Sequence, residues 1–139
     1  MVRPAEWVSA RIPPGIAAIT VLALGLGIRA VGGGPFAKYA GVALYAAWIY
    51  VLIVLITPRR SVPVTAALAL GVCWIVEFAQ LTSLPASLSA RSVVLRLVLG
   101  TTFNPPDLAW YAVGVALAAT GHIGGRRWGH RRGPGLGPN

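Results

Sequence analysis

Glu77 and Gln80 stand three residues apart in Cys73-Trp74-Ile75-Val76-Glu77-Phe78-Ala79-Gln80, a stretch that is otherwise oily. On a helix this spacing sets a carboxylate and a carboxamide one above the other on one face, with Cys73 a turn earlier. Such a carboxylate can pair with a cation, hold a proton or serve a ligand's head group, while the carboxamide suits an interhelical hydrogen bond. An ionisable side chain at the centre of a membrane-spanning helix costs roughly 2.5–3.5 kcal/mol, so a chain that keeps Glu77 there pairs it or uses it. Asp107 supplies a second carboxylate, and Tyr111, Gly114 and Ala118 continue its stripe along one helix face. Asp107 follows two prolines and precedes an apolar run, a position suited to capping a helix start.

Other chemistries find little support. No Ser-His-Asp set is present, and His122 and His130 are expected at the opposite, cytoplasmic end of the spans, away from the carboxylates. Neither metal-ligand spacing nor a P-loop occurs, so no metal and no cofactor is expected. Gly25-Leu-Gly27-Ile-Arg-Ala30 matches a dinucleotide fingerprint in letters. Gly32-Gly33-Gly34-Pro35 follows it where a helix should open, and no acid lies ~20 positions on. These small residues read instead as a surface for close helix packing. The carboxylate pair is capable of acid–base work, yet no nucleophile accompanies it.

The elements that must carry these side chains are built for lipid. Hydrophobic residues make up 56% of the 139 and charged ones 11%, where soluble domains carry about 25% charged residues. Mean hydropathy is +0.72. Four apolar segments are expected, at 15–28, 37–56, 62–81 and 107–123. The fold class is therefore all-α, an integral membrane bundle of four spans. Arg29 and bulky Ile28 stand where a signal-peptide cut would need small residues, so the first segment is retained. Between Pro85 and Pro106, Ser89 is placed to cap a helix of about ten residues ending at Gly100. That length suits one re-entrant or interfacial helix. Residues 1–14 form an N-terminal segment, 15–123 the membrane domain, and 124–139 a basic, Gly-rich tail expected to be disordered.

The net charge is +9, from 12 basic and 3 acidic residues. Four spans put both termini on one side, together with Arg3, Arg11, Arg59, Arg60, Arg126, Arg127, Arg131 and Arg132. The other side holds Arg29, Lys38, Arg91 and Arg96. The positive-inside rule then sets both termini in the cytoplasm of a plasma-membrane protein. Arg29, Lys38, Glu77, Gln80, Arg91, Arg96, Asp107 and Tyr111 converge on the extracytoplasmic half. Four cations against two carboxylates leave a positive excess suited to an anionic phosphate. Singly, each cation would snorkel to lipid phosphates, and Tyr111 would serve as an interfacial anchor.

Glu77-x-x-Gln80, Arg91, and Asp107 with Tyr111 and Gly114 form an ordered set that resembles the bacterial membrane family called domain of unknown function 2809. The resemblance runs from about Leu22 to Ala119 and includes Arg29 and the run from Lys38-Tyr39 to Tyr45. More remotely the chain is similar to the VanZ-like family, associated with tolerance of teicoplanin-type antibiotics. The first family tends to carry an acid where Val42 stands. VanZ-like proteins place Asp-Lys-x-x-His where this chain has Ala37-Lys38-Tyr39-Ala40-Gly41, which keeps only the lysine. The resemblance implies a membrane location and a small helical bundle, and carries no activity with it.

Three functions fit these residues. The first is a non-enzymatic membrane protein that binds an anionic lipid or lipid-linked envelope precursor at the outer-side cluster. The second is an assembly or structural subunit whose cluster locks its own bundle, with Glu77 paired to Arg29 or Arg91. The third is a membrane enzyme acting on lipid phosphate. Membrane lipids are the expected partners, anionic inner-leaflet lipid rather than nucleic acid being nearest to the arginine tail. No feature of the sequence sets an oligomeric state.

Overall fold

The structure, a computed structural model, describes residues 10–131. Helix α1 spans Ile12–Val31, α2 Gly34–Ile56 and α3 Val62–Ala79. Two short helices follow, α4 at Leu84–Ser89 and α5 at Val93–Leu99, and α6 runs from Pro105 to Arg131. The four long helices are long and apolar enough to cross a bilayer. Each opens on proline: Pro13-Pro14, Pro35, Pro63 and Pro105-Pro106. Proline suits this first turn because its fixed φ is already helical and its missing N–H is one the helix leaves unpaired. None of α1, α2 or α3 has a side-chain cap at its start.

Helix α2 is the centre of the bundle and packs against α1, α3 and α6, while α6 also packs against α3. The core between α2, α3 and α6 is made of Ala46, Tyr50, Ala69, Cys73, Tyr111 and Val115. Small residues dominate it because helices in lipid gain most from close backbone approach. Gly114 is the tightest point. A Cβ there would overlap the Ala43 carbonyl group of α2, so no larger residue fits without parting α2 from α6. At the opposite end of this contact the Tyr50 hydroxyl and His122 Nδ1 are 2.9 Å apart. Ile19, Phe36, Ile56, Ile75 and Leu117 face outward. An exposed apolar surface this broad marks a contact with membrane.

Helices α1, α2 and α6 are longer than the expected apolar runs, whereas α3 is shorter. The first and second segments begin three residues before the expected starts, and the third ends at Ala79 rather than 81. Helix α6 passes through Gly124-Gly125 to Arg131, so the basic tail is helical up to that point. Residues 132–139 and 1–9 lie outside the described residues.

The connection after α3 also differs from expectation. It forms two helices, not one of about ten residues. Ser92, not Ser89, opens the second, its side chain accepting from the Val94 N–H at 3.2 Å. Ser92 has the extended backbone of an N-cap, whereas Ser89 closes α4 and is buried. Asp107 is not a cap either. Pro105 and Pro106 take the first two helical positions, which sets Asp107 in the third and Asn104 before the helix.

Candidate functional site

Short turns reverse the chain between α1, α2 and α3, and the α4–α5 connection returns it so that the start of α6 lies beside the end of α3. The C-terminal ends of α1 and α3 therefore meet the N-terminal ends of α2 and α6, and the α4–α5 hairpin closes over them. Between these ends lies an open cleft of about 550 Å³. Its lining includes Arg29 of α1, Lys38 of α2, Glu77 and Gln80 from the end of α3, Arg96 of α5, and Asp107 and Tyr111 of α6. Seven of the eight sequence-expected residues are thus brought together. Arg91 is not among them; it stands exposed in the break between α4 and α5.

Glu77 is almost wholly buried, at 1% exposure. Its Oε1 accepts from the Asn104 main-chain N–H at 2.6 Å, and its Oε2 accepts from the Tyr111 hydroxyl at 2.8 Å. The expected pairing with Arg29 or Arg91 is replaced by these two donors. The reason is placement: α1 packs on α2, so Arg29 arrives from the far side of the cleft, and Arg91 is outside it. Asp107, also buried, accepts from the Asn104 side-chain amide. Asn104 thereby holds both carboxylates, one through its backbone and one through its side chain.

Three side chains reach the carbonyls at the end of α5. The Tyr45 hydroxyl donates to Val98 O at 2.9 Å, Gln80 Nε2 to Leu99 O at 2.7 Å, and the Ser89 hydroxyl to Gly100 O at 2.9 Å. A helix end leaves such carbonyls unpaired, and inside the protein each needs a donor. Gly100 turns the chain with φ +64, and a Cβ there would stand 2.6 Å from Gln80 Nε2. Gln80 Oε1 is left buried, with no partner among the described residues.

The cations differ from the acids in every respect. Arg29, Lys38 and Arg96 are exposed on the rim, and among the described residues no carboxylate lies within ion-pair distance of them. The Arg29 stem lies against Gly41, 3.5 Å from where a Cβ would stand. The Lys38 ammonium sits 5.5 Å from the centre of the Tyr39 ring, which stacks in turn on Trp110. The arrangement is a positive rim above a floor whose carboxylates are already hydrogen-bonded.

Asn104 and Tyr45 were not singled out as site residues from the sequence. An Asn directly before Pro-Pro at a helix start is a recognisable cap signal. The bond that matters most, from its backbone N–H, leaves no trace in residue type.

Fold and cleft together define a small helical membrane protein with a polar site at one end. The family model described as Protein of unknown function (DUF2809) matches residues 33–115, and the chain belongs to that family. The matched span covers the cleft residues from Lys38 to Tyr111 but leaves out Arg29 and α1. No curated protein and no solved structure matches the chain.

Proposed function

We propose that the protein binds an anionic, phosphate-bearing lipid head group in the cleft, from the extracytoplasmic leaflet of the plasma membrane. The observation that supports this reading is the exposed rim of Arg29, Lys38 and Arg96, with no carboxylate within ion-pair distance of it among the described residues. Arginine pairs suit phosphate oxygens, and a lysine adds a point charge. The volume of about 550 Å³ falls within the usual range for small-ligand sites, about 300–1,000 Å³.

The test is native mass spectrometry of protein extracted gently from membranes. Wild type should carry a phosphate-containing lipid, and the Arg29→Gln, Arg96→Gln double variant should lose it while remaining folded. Equal retention by both proteins would refute the reading.

A second reading, in which the polar cluster locks the bundle, is favoured by a separate set of bonds. Glu77 ties α3 to the start of α6, and Tyr45, Gln80 and Ser89 tie the end of α5 in place. The two readings divide the cluster between them. The acids and amides build the floor, and the cations take the ligand.

A further inference from the structure

The polar cleft does not end at Arg29. A second, apolar crevice of about 260 Å³ opens beside it between α1, α2 and α5. Val21, Leu22, Leu26, Leu44, Trp48 and Val94 line its length, and Arg29, Gly41 and Tyr45 belong to both spaces. Gly25 helps to keep the crevice open, since a Cβ there would meet only Leu44 Cβ, at 3.7 Å. From Arg29 back to Val21 the helix rises about 12 Å. One leaflet's share of the hydrocarbon core is about 15 Å. The crevice thus starts at the cationic rim and runs along the helices through most of one leaflet.

We propose that this crevice seats one hydrocarbon chain of the same lipid whose phosphate head the cleft holds. The inference rests on the head-group reading above and adds the lipid's tail and its way in, sideways between α1 and α5. Lipid tails gain nothing from leaving one apolar surface for another. A chain is therefore not held by hydrophobicity alone. Arg29 supplies the tether: a head bound at the junction keeps its own chain at a high effective concentration beside the crevice. A neutral lipid lacks that tether and visits the crevice no more often than other apolar faces.

The test uses the full chain in bilayer discs of phosphatidylcholine with a small fraction of phosphatidate. One phosphatidate probe carries a diazirine midway along a single chain, and another carries it beside the phosphate. After photolysis, the chain probe should label peptides 21–26, 44–48 and 94–98 about ten-fold more than a matched phosphatidylcholine probe, a preference of roughly 1.4 kcal/mol. The head probe should label residues 97–104. Gly25→Leu should remove most of the crevice label and leave the head label unchanged. Should that variant fail to fold, the wild-type peptide map decides alone. If the chain label spreads evenly over all lipid-facing helices while the head label stays in the cleft, the crevice inference fails and the head-group reading survives. If the head probe labels the cleft no more than the phosphatidylcholine probe does, the head-group reading fails and takes the crevice with it.

Discussion

At the scale of residues, Glu77 decides how the floor is read. Both of its oxygens accept from neutral donors, so its burial is compensated by hydrogen bonds and not by an opposite charge. Glu77→Gln keeps the shape but places an NH2 where an oxygen accepted. One donor, the Asn104 amide or the Tyr111 hydroxyl, then loses its acceptor. Stability in detergent should fall by about 1–3 kcal/mol, the usual cost of a buried polar group left unmade. Tyr111→Phe should cost less, and the double variant should lose less than the two single losses added, because the pair shares one bond. Denaturant unfolding of the four proteins measures this. Full recovery of Glu77→Gln on removing Arg29 would restore the arginine pairing and refute the present account. The acids, the amide and the phenol were legible in the sequence because helix periodicity places residues three and four apart on one face. The partner on Asn104 was not, since it is a main-chain group. Arg91 was misplaced for a different reason: the break near Ala90 turns it away, and nothing in the side-chain types there announces a break.

At the scale of elements, the α4–α5 hairpin is the part that tertiary bonds must hold. Helix α5 has seven residues, none of them buried, whereas isolated helices shorter than ~12 residues are marginal. What fixes it is its C-terminal end, where Tyr45, Gln80 and Ser89 donate to three successive carbonyls. Tyr45 of α2 and Gln80 at the end of α3 pin the hairpin to the bundle at one point, and Ser89 of α4 ties the hairpin's own two helices together. Gln80→Leu removes the middle bond and leaves Leu99 O unpaired. Amide hydrogen exchange in 93–104 should rise by roughly ten-fold, for a bond of about 1–1.5 kcal/mol, while the core of α2 stays protected. Unchanged exchange in that segment would show that the hairpin is held by other means. The four long helices were readable from apolar run length alone. The hairpin was read as one helix because Ser89 and Ser92 are equal candidates by type, and only the tertiary bond to Gly100 draws Ser89 inward.

At the scale of the whole molecule, the cleft's place in the membrane follows from charge and from aromatic residues. Tyr39 and Trp110 stack at the cleft end, and Trp128 stands exposed toward the far end of α6. Trp110 and Trp128 are separated by about 27 Å along the helix at 1.5 Å per residue. That distance suits a hydrocarbon core of about 30 Å with an aromatic anchor at each boundary. Arg11, Arg59, Arg60, Arg126 and Arg127 belong to the end away from the cleft. The cleft end holds four cations, of which three rim the site. The greater basic charge should remain in the cytoplasm and the cleft should open to the outer leaflet. A cysteine at Gly33, in the turn between α1 and α2, should react with an impermeant maleimide added to intact cells. A cysteine at Ser61, in the turn between α2 and α3, should react only after the membrane is opened. Native Cys73 is fully buried and should not compete for the reagent. The reverse pattern would turn the molecule over and put the cationic rim against the inner leaflet. Its ligand would then have to come from the cytoplasmic lipids, and an outer-leaflet head group would be excluded.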